Sequence, residues 1–233
     1  MRHECGRCDE CSKARDNSVF TLVTSISLPR STNAVHPSLI LASSSKYRQE
    51  LLSRLKIPFS VIVPDLDETP LAQEQPEQLA LRLAIAKAQR VAKTNSGSVV
   101  IGADQVASLH GLPLGKPGSA VAAKAQLRQL SGQTVTFYSA MSVVWGAQVQ
   151  SVVVPTHCVF RTLSDTAIER YIAIDQPFDT AGSAKAECLG IALMQSMDSS
   201  DPTSIIGLPL IALTRMLVAV GLDPLDHATQ AVL

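Results

Sequence analysis

From about residue 38 onward, short apolar runs alternate with amphipathic stretches along the chain. Leu39–Ala42 is a short apolar run that predicts a strand, and Lys46–Leu55 has the apolar spacing of a helix. Phe59–Val63 predicts the next strand. A longer amphipathic helix is expected from near Pro76 to about Lys93, because proline suits the first turn of a helix. The first half of the domain therefore alternates strand and helix.

The second half of the chain continues this alternation around a predicted hairpin. A strand at Val99–Gly102 leads directly into Asp104, and a loop at Gly111–Pro117 precedes a helix capped by Ser119 and ended by Gly132. Two paired strands follow at Val135–Trp145 and Val149–Phe160. The remaining predicted elements are a helix capped by Ser164 that runs to Ile174, an irregular segment at Phe178–Gly190, and a helix that starts at Pro209 and ends before Gly221. This order indicates an α/β fold around a mixed β-sheet.

Length and charge restrict the class of protein. The 233 residues suffice for one large domain or two small lobes, and 20 Lys and Arg balance 20 Asp and Glu, so no basic surplus favours a nucleic-acid partner. The longest apolar run, Ile205–Val220, is interrupted by Pro209 and Arg215 and predicts a buried helix rather than a membrane span. The first residues lack the apolar stretch of a signal peptide, so we expect a soluble cytoplasmic protein without membrane partners.

Residues 1–37 are rich in Ser, Thr, Asn and Pro and show no sustained period. We interpret them as a disordered extension, or the product of a mis-set start codon, ahead of a domain at 38–233. Cys5, Cys8 and Cys11 leave an alternative open, because their spacing can hold a metal with His3 as fourth ligand. Cys158 and Cys188 are expected to be unreactive core thiols.

A serine-rich segment stands between the first strand and the first helix. Hydroxyl groups and a guanidinium at a helix N-terminus can bind phosphate, which makes Ser43 and Arg48 candidates for that role. The alternative is an ordinary serine cap with Arg48 on the surface.

Asp104 follows an apolar strand, where a carboxylate can hold a metal or act as a general base. The alternative is a turn-capping aspartate. Downstream, Gly111 and Gly115 enclose three residues and Pro117 follows Lys116, so this segment is not a P-loop. Lys116 can still reach a phosphate from this loop.

Three carboxylates, Asp65, Asp67 and Glu68, fall close together before the long helix. Oxygen ligands of this kind suit Mg²⁺ or Mn²⁺, although a solvated acidic turn is the alternative. The sequence offers no histidine pair at zinc spacing and no serine nucleophile elbow, so these routes to hydrolysis are disfavoured.

These segments occur in one order that resembles the Maf family. The resemblance rests on LILASSSKYRQELLSRLKIPFSVIVPDLDET, VVIGADQV, LGKP, LRQLSGQTV, AGSAKAECLGI and IIGLPLIAL, and covers about Leu39 to Pro224. It implies a fold like that of inosine triphosphate pyrophosphatases, with an elongated mixed sheet flanked by helices and two lobes around a cleft. It also implies nucleotide pyrophosphatase activity with a divalent metal, Mg²⁺ or Mn²⁺, and a homodimer.

The resemblance assigns roles to individual residues. It implies Asp104 as the proton acceptor, Glu68 and Asp104 as metal ligands, and four phosphate-binding residues, namely Ser43, Arg48, Lys87 and Lys116.

The branch of the family is indicated by Gln105 and Glu187, which resemble the branch that prefers 7-methyl-GTP. A methylated guanine is cationic, so an aromatic ring and a carboxylate would favour it, and Tyr47 and Glu187 offer both. Lys46, Tyr47 and Gln49 depart from the usual family residues. The alternatives are the sister branch that prefers dTTP and UTP, and a nucleotide-binding regulator of cell division with little turnover.

Overall fold

The computed structural model describes residues 37–226. The extension predicted for residues 1–37, except Pro37, and its cysteine motif lie outside the described residues. The strands are β1 Leu39–Ala42, β2 Phe59–Val61, β3 Val99–Leu109, β4 Leu112–Leu114, β5 Thr134–Trp145, β6 Gln148–Phe160 and β7 Met194–Ser199. The helices are α1 Lys46–Ser53, α2 Pro76–Ala92, α3 Ala120–Leu130, α4 Asp165–Asp175 and α5 Leu210–Ala219. Short 3-10 turns occur at Ala181–Ser183, Leu189–Leu193 and Ser204–Ile206.

The strands form one mixed seven-stranded sheet. Its order is β2-β1-β3-β5-β6-β7, and β4 pairs with the far part of β3. β1 is parallel to both β2 and β3, whereas β5, β6 and β7 follow in antiparallel pairing. The predicted mixed sheet and its central hairpin are therefore confirmed.

Helices cover both faces of the sheet. Alternate residues of each strand point to opposite faces, so each face has its own core cluster. Leu39 and Leu41 of β1 pack in a core cluster with residues of α1 and α5. Ile40 and Ala42 pack on the other face against α2. A further cluster joins α3 and α4 to β5 and β6, with Phe137 as a central side chain. One core cluster is therefore built around α1 and α5, and another around α3 and α4.

Helix ends follow the chemistry that the sequence predicts. Ser119 and Ser164 cap α3 and α4 by accepting hydrogen bonds from Ala122 N and Ala167 N, each at 3.2 Å. In α5, Leu210, Leu213, Met216 and Leu217 are buried, as expected for the run at 205–220. Within residues 37–226, no helix combines the length and the apolarity needed to cross a lipid bilayer.

Three strand predictions were wrong. The segment Gly111–Pro117, predicted as a loop, contains the short strand β4, which pairs with β3. β3 does not end at Gly102 but continues to Leu109, since β5 pairs with it from Val100 to Ser108. Asp104 therefore lies within the strand and not after it. β7 was missed, because Met194–Ser199 is an edge strand with mostly polar residues and no alternating pattern.

Candidate active site

A cleft of about 650 Å³ opens at a gap in the sheet. β1 pairs with β3 only as far as Ala42 opposite Gly102, and β4 begins to pair at Ala107. Among the described strands, none covers residues 103–106 of β3 on that edge. Successive side chains of β3 point to opposite faces of the sheet. Side chains on both faces can therefore contact the chain segments that border this gap.

All nine residues predicted for the site line this one cleft. They are Ser43, Tyr47, Arg48, Glu68, Lys87, Asp104, Gln105, Lys116 and Glu187. The carboxylate of Asp104, the segment with Ser43 and Arg48, and the loop with Lys116 therefore share one cleft.

The serine-arginine segment is held by its own hydrogen bonds at the start of α1. Ser45 is the N-cap and accepts from Arg48 N at 3.4 Å. Ser43 Oγ accepts from Arg48 Nη1 at 3.2 Å, and Gly207 O accepts from Arg48 Nε at 3.0 Å. Burial lowers the pKa of the Arg48 guanidinium, while the charges of Asp104 and Glu68 raise it. Arg48 is thus a fixed cation facing the carboxylates and not a surface side chain.

The central contact of the cleft is a lysine between two carboxylates. Lys87 Nζ lies 2.6 Å from Asp104 Oδ1 and 2.7 Å from Glu68 Oε1. The side chains of Lys87 and Asp104 are 8% and 12% exposed, and that of Glu68 is 56% exposed. The ammonium that the resemblance assigns to phosphate is therefore paired with the carboxylates assigned to base and metal.

This contact depends on close packing of α2 against β3. At Gly102 an added Cβ would lie 2.3 Å from Ala84 O and 2.5 Å from Ala88 N. Glycine thus lets the backbone of α2 approach β3 closely. The close approach lies two residues before Asp104 on the strand, and next to Lys87 on the helix. The short approach brings the two charged side chains together.

Only one of the three clustered carboxylates before α2 lines the cleft. Asp67 Oδ1 accepts from Thr69 N at 2.9 Å and from Thr69 Oγ1 at 2.7 Å, so it orders its own turn. Arg82 of α2 fixes the segment further by donating to Thr69 O at 3.1 Å and to Glu74 Oε1 at 2.6 Å. These contacts hold the loop that presents Glu68.

Lys116 and Gln105 differ in how they are held. Lys116 is exposed at the cleft, and no residue in the range 37–226 forms an ion pair or hydrogen bond with its ammonium. Gln105 Nε2, by contrast, donates to Ser139 Oγ at 2.8 Å, Ile205 O at 2.9 Å and Ser204 O at 3.1 Å. Its amide nitrogen is therefore occupied by the protein, which leaves its oxygen as the group available to a ligand.

The wall at residues 179–187 adds two further acidic groups to the cleft, Asp179 and Glu187. Desolvation raises the pKa of Glu187, and the nearby Asp175 and Asp179 raise it further against the lowering effect of its own backbone and Lys185. Burial acts to lower the pKa of Lys185, but its contacts with Tyr47 and Asp179 outweigh this and raise it. Tyr47 and Glu187, predicted as specificity residues, thus lie at the same cleft with Lys185 beside them.

Sequence reasoning missed several residues at the cleft. Asp179, Thr180 and Ile206 line it, and the carbonyl of Gly207 holds Arg48. The segments AGSAKAECLGI and IIGLPLIAL, which contain or border these residues, were the available signal.

One cysteine prediction was also wrong, since Cys158 is buried in the core but Cys188 is exposed.

The two predicted metal ligands, Asp104 and Glu68, both line this cleft. In the part of the chain from 37 to 226, no three or more His, Cys, Asp or Glu residues are grouped so that they could hold a metal. Asp104 and Glu68 nevertheless reach one cation, the ammonium of Lys87. Mg²⁺ is commonly bound by one or two carboxylates together with substrate phosphates, so this donor pair fits such an ion.

Comparison with known proteins gives a consistent result along the chain. The sequence profile described as Maf-like protein matches residues 38–220. A protein of Bordetella pertussis named 7-methyl-GTP pyrophosphatase is 62% identical over 192 residues, which cover 82% of this chain and 96% of the relative. Proteins with the same name from Ralstonia nicotianae and a Polaromonas species are 54% and 50% identical, over 78% and 88% of this chain and 95% and 94% of their own lengths.

Solved structures are more distant. A HAM1 protein from Coxiella burnetii has a TM-score of 0.40 at 20% identity, over 53% of this chain and 73% of its own. The Staphylococcus aureus Ham1 protein has a TM-score of 0.41 at 16% identity, over 66% of this chain and 89% of its own.

Proposed function

The chain belongs to the Maf family, and we propose that it hydrolyses 7-methyl-GTP to 7-methyl-GMP and diphosphate, removing a modified nucleotide from the pool. The observation that supports this most is the convergence of Arg48, Lys116, Lys87 and Asp104 on one cleft. Such basic groups can neutralise a triphosphate, and a carboxylate beside them can act on water.

Asp104 is the proposed proton acceptor. Its Oδ1 is held by Lys87 at 2.6 Å, and within residues 37–226 no hydrogen bond engages Oδ2. The free oxygen can accept a proton from water that attacks the α-phosphorus. Lys87 keeps the carboxylate oriented through this hydrogen bond.

Arg48 and Lys116 are proposed to bind the triphosphate. Arg48 is anchored through Nε and Nη1, so its position is set before the substrate arrives, and Ser43 lies beside it. Lys116 is exposed and can follow the phosphates of the leaving diphosphate. Phosphoryl transfer depends mainly on positioning and on charge stabilisation, so this set suffices without a covalent nucleophile.

A divalent cation, Mg²⁺ or Mn²⁺, is proposed as the cofactor, with Glu68 and Asp104 as its ligands. When bound, it would add positive charge to the phosphate oxygens. The supporting feature is the convergence of both carboxylates on one ammonium.

The nucleobase of the substrate is proposed to lie near Tyr47, Gln105 and Glu187. The Glu187 carboxylate and the Tyr47 ring favour a cationic 7-methylguanine. The Gln105 oxygen can accept from a guanine N–H, because its amide nitrogen already donates within the protein.

The test is a panel of nucleoside triphosphates with Mg²⁺ or Mn²⁺, in which diphosphate and orthophosphate release are measured separately. We expect diphosphate from 7-methyl-GTP at a higher kcat/KM than from GTP, dTTP or UTP. A preference for dTTP and UTP would favour the sister branch, and binding without release would favour a division regulator. Orthophosphate release would exclude cleavage at the α-phosphorus.

We also propose a homodimer in the cytoplasm, where nucleoside triphosphates are used, with no nucleic-acid partner. Membership of the family supports the proposed dimer, and an apolar groove on α2 around Leu81 and Ile85 is a suitable surface. Light scattering on the wild-type chain and on Ile85→Glu tests this assembly, and a wild-type mass of one chain would contradict it.

A further inference from the structure

Asp201 is a buried carboxylate between β7 and α5 that does not line the cleft. It is 2% exposed. Its Oδ1 accepts from Thr203 N at 3.0 Å and from Thr203 Oγ1 at 2.7 Å. Its Oδ2 accepts from Ile211 N at 2.7 Å and Ala212 N at 3.4 Å, at the start of α5. No Lys, Arg or His of residues 37–226 pairs with it, so its partners are two donors of Thr203 and two backbone N–H groups at the start of α5.

These contacts order residues 201–207, which we call the 201–207 turn. The carbonyl of Asp201 accepts from Ser204 N at 3.0 Å and from Ser204 Oγ at 2.7 Å. Ser204 Oγ also lies 2.6 Å from Thr156 Oγ1 of β6. The turn is therefore tied to α5 at one side and to the sheet at the other.

The 201–207 turn presents three carbonyl groups to residues of the cleft. Ser204 O and Ile205 O accept from Gln105 Nε2, and Gly207 O accepts from Arg48 Nε. Gly207 has a φ of +109°, which L side chains rarely adopt, so glycine sets the direction of its carbonyl. This one turn thus holds both Arg48, which is proposed to bind phosphate, and Gln105, which is proposed to bind the nucleobase.

We propose that Asp201 is a positioning residue for catalysis, which sets Arg48 and Gln105 through the 201–207 turn. The inference rests on the proposed function, since it concerns how the same cleft binds its nucleotide. Every donor around the carboxylate needs an acceptor. An amide at this position would turn its NH₂ group toward either the Thr203 donors or the α5 donors, and the turn would shift. A shift of about an ångström at a binding group suffices to lower turnover severely.

The test compares four variants of the full chain. Asp201→Asn removes the second acceptor, and Thr203→Val weakens the same turn while it keeps the carboxylate, in case Asp201→Asn does not fold. Thr203→Ser keeps the hydroxyl and is the conservative rescue. Ile168→Ala creates a cavity in the core of α4, which does not line the cleft, and controls for lost stability alone.

The measurements are the binding of 7-methyl-GTP and GTP by calorimetry without divalent metal, and diphosphate release with Mg²⁺. We expect Asp201→Asn and Thr203→Val to weaken 7-methyl-GTP binding about tenfold and to reduce the preference over GTP. Thr203→Ser should match the wild type, and Ile168→Ala should melt earlier but bind both nucleotides normally.

Unchanged affinities and an unchanged preference in folded Asp201→Asn and Thr203→Val would overturn the inference. A wild-type chain that binds nucleotides but hydrolyses none would refute the proposed function, while the relative affinities of the variants would still decide the role of Asp201. A wild-type chain that binds neither nucleotide would overturn both.

Discussion

Lys87 Nζ lies 2.6 Å from Asp104 Oδ1, across the boundary between α2 and β3. The same ammonium lies 2.7 Å from Glu68 Oε1. It therefore contacts one oxygen of each carboxylate that is proposed to hold the divalent cation. This relationship makes Lys87 both a support for the proposed base and a competitor for the proposed metal, and the first two predictions separate these effects.

Asp104→Asn should abolish diphosphate release, because an amide cannot accept the proton from water. We expect a loss of about a hundredfold or more in kcat, measured on 7-methyl-GTP, with an unchanged circular dichroism spectrum. Asp198→Asn, at an exposed position of β7, is the matched control. Turnover close to the wild-type rate would remove Asp104 from the role of base.

Lys87→Met should bind Mn²⁺ several-fold more tightly than the wild type, because the two carboxylates lose the ammonium that neutralises them. Calorimetric titration with Mn²⁺ in the absence of nucleotide measures this directly. Lys93→Met, at an exposed site after α2, should leave the affinity unchanged. Equal or weaker Mn²⁺ binding by Lys87→Met would show that the two cations do not share these oxygens.

Glu187→Gln should reduce the preference for 7-methyl-GTP over GTP by about tenfold, because it removes a negative charge near the cationic base. Burial raises the pKa of Glu187, so the wild-type preference should decline as the pH falls through this raised value and the carboxyl becomes neutral. The ratio of kcat/KM for the two substrates, measured against pH, reports this. The exposed Glu77→Gln is the control, and a pH-independent ratio equal in both variants would contradict the prediction.

Glu74→Gln should make the free energy of unfolding less dependent on pH in the acidic range. The hydrogen bond from Arg82 lowers the pKa of Glu74 from 4.5 to about 2. A carboxyl with a lowered folded pKa stabilises the fold above its unfolded pKa, and this contribution is lost as the pH falls from 4.5 to about 2. Denaturant unfolding of the variant should therefore show a smaller decline over this interval. An equal decline in both proteins would indicate that this pair does not contribute.

Gly102→Ala should lower the free energy of unfolding by about 1–3 kcal/mol, since its Cβ would lie 2.3 Å from Ala84 O. Relief requires α2 to move from β3, so turnover should also fall as Lys87 shifts. Gly97→Ala is a close control, because its Cβ meets nothing within 4 Å. Urea unfolding of both variants measures the difference, and similar stabilities would show that α2 yields without cost.

Much of the fold could be predicted because the local signals agree. Ser119 and Ser164 cap helices as expected, and the alternating residues of β5 and β6 form the predicted hairpin. The boundary of β3 could not be predicted, since the polar Asp104 and Gln105 interrupt its apolar run. They line the cleft beside a gap in the sheet, and only the pairing of β1, β4 and β5 with β3 shows where that gap lies.

The membership of the cleft was predictable from the order of motifs, but its contacts were not. Lys87 was assigned to phosphate, and nothing in its helical context indicates that it pairs with Asp104 and Glu68. Backbone acceptors such as Gly207 O have no signature in side-chain chemistry. Contacts between distant segments require the tertiary fold, and the role of each residue in turnover remains a prediction.

The bond between Arg48 and Gly207 joins residues 159 positions apart. A ribosome releases the N-terminal part of a chain first, so Arg48 emerges long before its acceptor. During synthesis, earlier strands of the cleft can form while Arg48 still lacks its acceptor, Gly207 O. Arg48 therefore takes its final position only when the segment around Gly207 has folded back against it, so this side of the cleft is completed late in synthesis.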